Sequence, residues 1–244
     1  MSQITWYFKS TLVSLGLLVG NFIPLAANAA VITDCAHLTY CTAGELSGGD
    51  SFQLTGSRVG GVWFHSFDTS DGLTLSNADE FHFRDSSYAP GFVLTGPGGG
   101  PLVNVTSTDA SGSLDFSYQV EHLLGLTLDR AFLNVLVTQC CGPATTPIAA
   151  REDISPSDFI FLQLPNVGNP PFLLSGDTLL ALSNGGRSVS TSLNYAILPE
   201  TSRSSTVTID NLVETFKVPE PGTLALTGLG LLGLALIRRR KLRG

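Results

Sequence analysis

The sequence predicts an all-β domain, an antiparallel β-sandwich with a jelly-roll connection as its variant, between an N-terminal signal peptide and a C-terminal transmembrane helix. Three observations carry this reading. From Ser188 to Ile197 the alternation is complete: Val189, Thr191, Leu193, Tyr195 and Ile197 share one face, and Ser188, Ser190, Ser192, Asn194 and Ala196 the other. That period of two marks a half-buried strand, because successive side chains of a strand point to opposite faces. Leu114, Phe116, Tyr118 and Val120 repeat the pattern, with Ser113, Asp115, Ser117 and Gln119 turned to water. Finally, turn signals punctuate the segment from 30 to 218, and no stretch of ten residues in it keeps a 3.6-residue period. Many short strands with regular turns argue for a sandwich.

The elements follow in order. Lys9 opens a weak basic region, and an apolar run from Thr11 to Leu25, broken by Asn21 and Pro24, ends at Ala27-Asn28-Ala29. This is the small-x-small form that signal peptidase reads, which predicts a signal peptide over 1–29, cut before Ala30. Strands are then expected at Ser51 to Leu54, Gly61 to Phe67, Glu80 to Arg84, Phe92 to Thr95, Leu102 to Val105 and Leu114 to Val120. Further strands are expected at Phe132 to Thr138, Phe159 to Leu164, Leu179 to Leu182, Ser188 to Ile197 and Thr206 to Phe216. The last changes phase near Asp210-Asn211, as a β-bulge would cause. Turns are placed at Asp71-Gly72, Gly96 to Pro101, Ser111-Gly112, Ser175-Gly176 and Asn184-Gly185. Residues 139 to 158 read as a loop punctuated by Pro143, Pro147 and Pro156.

Four cysteines, Cys35, Cys41, Cys140 and Cys141, fall in the exported part, where an even count favours disulfides. Adjacent cysteines bond to each other only through a strained ring. The expectation is therefore that Cys35 and Cys41 each bridge to one of Cys140 and Cys141. Neither pair has the C-x2-C spacing of a zinc site, and no metal or cofactor is expected.

No catalytic set can be nominated. His82 alternates with Phe81 and Phe83 as a water-facing residue would, and no serine lies in a G-x-S-x-G elbow. Gly96 to Pro101 is glycine-rich but lacks the Gly-Lys-Ser/Thr ending of a phosphate loop. Asp68 to Gly72 resembles half of a calcium loop without its distal Glu. In Val62 to Phe67, Trp63, His65 and Phe67 share a face and could stack on sugar rings if exposed, although aromatic residues at this period also pack inward.

The chain ends in three parts: Pro219-Glu220-Pro221, an uncharged apolar run over 222–237, and a basic end over 238–244 holding Arg238, Arg239, Arg240, Lys241 and Arg243. Sixteen helical residues rise about 24 Å, slightly under the roughly 30 Å of a bilayer's hydrocarbon core. The cations hold their end on the cytoplasmic side, so residues 30 to 218 face the other side. A plain anchor that nothing cleaves explains the run and the cations but not the Pro-Glu-Pro. Of 13 Lys plus Arg, six (Lys9 and the five of the tail) lie outside the exported part, as does Glu220 of the 20 acidic residues. Seven basic and 19 acidic residues remain, a net charge of −12 that disfavours nucleic acid and anionic lipid as partners, since both demand cationic patches.

The order of motif, apolar run and basic cluster over residues 219 to 243 closely resembles the PEP-CTERM sorting signal. That resemblance implies a substrate of an exosortase, a membrane-embedded cysteine transpeptidase of Gram-negative bacteria usually found with exopolysaccharide production. Pro219, Glu220 and Pro221 would carry recognition. The precursor would sit in the inner membrane, and the product would reach the envelope surface or the extracellular matrix. The expected function is that of non-enzymatic cargo, with exopolysaccharide as a candidate partner. The alternative is a lectin-like module using Trp63, His65 and Phe67.

Overall fold

The computed structural model describes residues 31–55, 61–69, 75–84, 89–107, 109–125, 127–139, 148–155, 157–164, 171–180, 186–197, 205–217 and 230. The strands are β1 (Val31–Thr33), β2 (Tyr40–Thr42), β3 (Phe52–Leu54), β4 (Val62–Asp68), β5 (Glu80–Arg84), β6 (Gly91–Thr95) and β7 (Val103–Ser107). They continue as β8 (Ala110–His122), β9 (Arg130–Gln139), β10 (Ala149–Ile154), β11 (Asp158–Gln163), β12 (Phe172–Leu179), β13 (Arg187–Ile197) and β14 (Ser205–Lys217). One short helix, α1 (Ala43–Ser47), follows β2.

These strands form two antiparallel sheets packed face to face. The first runs β1-β3-β4-β8-β13-β10-β11 and the second β12-β9-β14-β6-β5-β2, with β7 also paired to β14. Some consecutive strands pair within a sheet (β3 with β4, β5 with β6, β10 with β11), and others change sheet, so that β8 lies beside β13 in one layer while β9 lies beside β14 in the other. The alternation read in the sequence supplies the inner face. Leu114, Phe116, Tyr118 and Val120 of β8 are buried, as are Val189, Thr191, Leu193, Tyr195 and Ile197 of β13. The phase change in β14 is a bulge: Ile209 pairs with Val137 and Asn211 with Leu136, leaving Asp210 over. Buried positions shift accordingly from Val207 and Ile209 to Leu212, Glu214 and Phe216.

Several expectations are corrected. The loop placed at 139 to 158 contains β10, whose pattern Ala150, Glu152, Ile154 hides a carboxylate among its buried positions. Ser175-Gly176 lies inside β12 rather than in a turn, pairing with Asn134 and Leu133 of β9. Ser111-Gly112 likewise lies inside β8, opposite Ala196 and Tyr195. The cysteine pairing is also different: Cys35 bonds to Cys41, six residues on, with Cα atoms 5.4 Å apart. The turn from β1 through Thr39 to β2 brings these two together. Cys140 and Cys141 lie outside the described residues. Helix α1 has no counterpart in the sequence reading. Thr42 and Glu45 close a capping box, in which Glu45 Oε2 accepts from the Thr42 amide at 2.7 Å and Thr42 Oγ1 from the Glu45 amide at 3.3 Å.

Candidate functional site

The tail carries the strongest signal in the sequence, and the fold fixes where it departs. β14 ends at Lys217, which pairs with Arg130 of β9. The Asp129 amide donates to the Lys217 carbonyl at 3.0 Å, and Lys217 Nζ lies 3.8 Å from the Asp129 carboxylate. Pro219 follows two residues later. Pro219, Glu220, Pro221 and the basic residues Arg238, Arg239, Arg240, Lys241 and Arg243 lie outside the described residues, as do the signal peptide and all of the apolar run except Gly230. Among the described residues no helix is long and apolar enough to cross a membrane.

The aromatic stripe of β4 divides in two. Trp63 and His65 stack on the outer face of the first sheet with ring centroids 3.9 Å apart. His65 Nδ1 lies 2.8 Å from Ser66 Oγ, and Nε2 lies 3.7 Å from Glu121 Oε1. Phe67 does not join them. Ser66 adopts φ 54°, the register to β8 slips between His65 and Asp68, and Phe67 turns into the core at 6% exposure. There it packs on Tyr118, with centroids 5.2 Å apart. Strict period two places Phe67 beside Trp63, and the bulge reverses that phase. Only Trp63 and His65 could meet a sugar.

A second patch was not read from the sequence. Across β10, β11 and β13 a shallow hollow of about 380 Å³ is lined by Arg151, Asp153, Asp158, Phe159, Ser188 and Ser190, among others. Arg151 grips Asp153 with two hydrogen bonds of 2.8 and 2.7 Å and sits over the Phe159 ring, 5.7 Å from its centroid. Beneath it, the buried Arg187 donates through Nη1 to the Ser155 carbonyl at 2.7 Å. The sequence signal for this patch is the exposed set Phe159 and Phe161, alternating with buried Ile160 and Leu162.

Between the sheets lies a buried acidic pair, Glu152 of β10 and Glu214 of β14, both fully buried. Glu214 accepts hydrogen bonds from Tyr118 at 2.5 Å and Thr191 at 2.7 Å. Burial pushes the Glu214 carboxyl up to about 7, against the two hydrogen bonds, which favour its charged form. Burial, then the nearby charge of Glu214, holds Glu152 well above the usual carboxylate range. Burial and the two carboxylates also push the Tyr118 phenol up. Both carboxyls are thus biased toward their protonated forms. Among the described residues no three His, Cys, Asp or Glu side chains are grouped to hold a metal.

The glycine-rich run is occupied by the chain itself. Pro97–Gly99 forms a single 3-10 turn between β6 and β7, with Gly98 at φ 68° and Gly99 at φ 72°, a conformation glycine adopts without strain. Their amides donate to Glu80 at 2.9 and 3.2 Å, and Glu80 Oε2 lies 2.8 Å from His82 Nε2. Burial raises the Glu80 carboxyl, but the Gly98 amide, His82 and the Gly99 amide outweigh it and hold it low. A loop that could cradle an anion is filled by an internal one.

Comparison with known proteins bears on the tail alone. Residues 217–241 match the PEP-CTERM protein-sorting motif, which implies an exported, membrane-passing precursor processed by an exosortase. No curated protein matches the chain. Among solved structures, TmCBM27, a carbohydrate-binding module that recognises mannan specifically, matches over 78% of this chain and all of its own at 10% identity and a TM-score of 0.28. The exo-β-1,3-galactanase of Phanerochaete chrysosporium, solved with β-1,3-galactotriose, matches over 69% of this chain and 42% of its own at 12% identity, with a TM-score of 0.23. Likenesses this distant assign neither ligand nor reaction.

Proposed function

We propose that this chain, which carries a PEP-CTERM sorting motif directly behind its last strand, is exported cargo: a non-enzymatic protein of the cell surface or exopolysaccharide matrix. Signal peptidase removes residues 1–29. The apolar run 222–237 holds the precursor in the inner membrane of a Gram-negative cell, and an exosortase acts at Pro219-Glu220-Pro221. The observation that carries this reading is the match over residues 217–241, which begins at the residue where β14 ends. Prolines 219 and 221 each lack an amide donor, a residue choice that disfavours a sheet ladder or a helix interior at the motif. The acidic domain suits a released, soluble product.

The test is cell fractionation with mass spectrometry of the protein from its host. Replacing Pro219, Glu220 and Pro221 by Ala is expected to leave full-length protein in the inner membrane, while the unaltered chain loses its Arg-rich end. Processing of the variant at the normal rate, or an intact tail on the unaltered protein in cells holding the enzyme, would leave a plain anchor as the better reading. One observation favours a second function. Trp63 and His65, stacked and partly exposed on the outer sheet face, supply an aromatic ring on which a sugar could pack. Binding on a glycan array that disappears in Trp63→Ala would establish a lectin-like role, and no binding would remove it.

A further inference from the structure

The outer face of the first sheet ends, on its β11 side, in two exposed phenylalanines. Phe159 is 57% exposed and Phe161 55%. Alternation with buried Ile160 and Leu162 turns both rings to the same side of the sheet. Register sets polar partners beside them on that side. Phe161 pairs with Arg151, and Arg151 with Ser192. Phe159 pairs with Asp153, and Asp153 with Ser190. Two rows thus run from β11 across β10 to β13, each opening on an aromatic ring and ending on a serine. Side chains two residues apart on a strand stand about 7 Å apart, so the two rings lie in line along β11.

The hollow of about 380 Å³ lies at the Phe159 row, and its lining continues around the β10–β11 hairpin to Asp158 and Ser188. Its walls are held by their own contacts. Arg151 is fixed on Asp153 by two hydrogen bonds of 2.8 and 2.7 Å. The Ser188 amide donates to Ser155 Oγ at 3.0 Å, and the Ser155 amide to the Ser188 carbonyl at 2.9 Å. The charged groups at the hollow balance: Arg151 is paired with Asp153, and Asp158 lies 3.9 Å from the buried Arg187. A ligand here meets hydroxyls, a guanidinium, carboxylates and aromatic rings, with no net charge among them.

We propose that this hollow, with Phe159 and Phe161 beside it, binds a neutral polysaccharide. A pyranose ring offers an apolar C–H face and a rim of hydroxyls that both donate and accept. The C–H face matches the two phenylalanine rings. The hydroxyls match Asp153 as acceptor, Arg151 as donor, and Ser188 and Ser190 as either. Because Arg151 and Asp153 already hold each other, little side-chain freedom is lost on binding. Two rings in line suit a chain of sugars rather than one isolated unit. An anionic polymer finds no unbalanced cation here, and the exported part's net charge of −12 repels it. A second copy of this chain fits less well, since two rings set among serines and an ion pair make no continuous apolar core. The site goes beyond the cargo reading by giving the exported domain a ligand. It is also separate from Trp63 and His65. The sheet order β4-β8-β13-β10-β11 sets the two places four strands apart, about 19 Å.

The test is affinity gel electrophoresis of the full chain in a polyoxyethylene detergent, which carries no sugar. Dextran, β-glucan, xyloglucan or galactomannan is cast into the gel, with alginate and polygalacturonate as anionic counterparts. At least one neutral polymer is expected to retard the unaltered chain, and neither anionic one. Replacing Phe159 and Phe161 together by Ala should weaken the retardation about tenfold or more, as loss of aromatic anchors does. Should that variant not fold, Phe161→Ala is read the same way. Phe161→Tyr and Trp63→Ala should each stay within about twofold of the unaltered chain. No retardation by any of the four neutral polymers overturns the proposal, as does full retardation of the doubly altered chain. Stronger retardation by alginate than by every neutral polymer overturns it as well. Loss of binding in Trp63→Ala with none in the Phe variants assigns the ligand to the Trp63–His65 pair instead, and this site fails. If the Phe changes turn a dimer into a monomer in sedimentation while retardation is unaltered, the patch joins copies of the chain, and the proposal fails. Retardation does not depend on whether the tail is cut, so failure of the sorting reading leaves this result standing.

Discussion

The two halves of the sandwich interior are built from opposite materials. Under β3 to β6, Phe52, Phe64, Phe67, Phe81 and Phe92 pack ring against ring, with Phe52 and Phe64 4.9 Å and Phe81 and Phe92 5.1 Å apart. Under β10, β13 and β14 the interior instead contains Glu152, Thr191 and Glu214. Tyr118 belongs to both, its ring 5.5 Å from Phe92 and its hydroxyl donating to Glu214. One half is held by apolar burial, which pH does not alter. The other adds to its apolar burial two carboxyls whose protonated forms the fold favours. A single fold thus has a part that resists titration and a part that responds to it.

The largest effect should come from breaking the aromatic half. Phe92 is fully buried and meets Phe52, Phe64, Phe67, Phe81, Phe116 and Tyr118. Phe92→Ala is expected to cost about 3–5 kcal/mol, the range for large core aromatics cut to Ala. Urea unfolding measures it, and the loss should be the same at pH 5 and pH 8. A loss under about 1 kcal/mol would mean that the ring cluster contributes much less than its burial implies.

Titration of the carboxyl half comes next. The folded Glu214 carboxyl lies near 7, against 4.5 for an ordinary glutamate. A group whose folded pKa is raised binds more protons in the native state over that interval. Stability therefore falls as pH rises from about 4.5 through about 7, by about 3 kcal/mol if this shift acts alone. Glu152 adds to the same trend, as does Asp79, which burial pushes up to about 6. Glu45 and Glu80 are held low, and their contribution fades only as pH drops into the acid range. The domain should be most stable in mild acid. Urea midpoints that rise between pH 5 and pH 8 would contradict this, and Glu214→Gln should flatten the fall.

These halves were unequally legible. The aromatic half follows from alternation, because each Phe stands at an inward position of its strand. Phe67 is the exception, displaced by the Ser66 bulge, whose positive φ leaves no mark in residue type. In the carboxyl half β13 and the bulge of β14 were legible, but the buried Glu152 and Glu214 were not, because burying Glu breaks the rule that sorts polar from apolar. Pro143, Pro147 and Pro156, punctuating a polar stretch, made β10 look like loop, and Glu214 falls beyond the bulge of β14. Ser175-Gly176 and Ser111-Gly112 resembled turns, yet each continues a long strand whose partner supplies the ladder. The sorting motif was legible throughout, since its information lies in residue order rather than in tertiary contacts.

The smallest expected effect concerns the staple at the margin of the aromatic half. Cys41 is fully buried and pairs with Phe81, so the Cys35–Cys41 bond ties the chain between β1 and β2 to the ring cluster. Closing so short a loop, a separation of 6 residues, removes little freedom from the unfolded chain. The chain-entropy relation gives about 2 kcal/mol, less than for the loops of some hundred residues that bridges to Cys140 and Cys141 would have closed. Cys35→Ser is expected to lower stability by about that amount and leave the pH slope intact, because no titrating core carboxyl touches it. Cys41→Ser is expected to cost more, since Cys41 is fully buried whereas Cys35 is 8% exposed. Peptide mapping without reductant should recover the 35–41 bond in the unaltered protein. A fragment joining Cys35 or Cys41 to Cys140 or Cys141 would show that the long-range bridges form after all, and the aromatic half would then be bound to the far end of β9 rather than closed on itself.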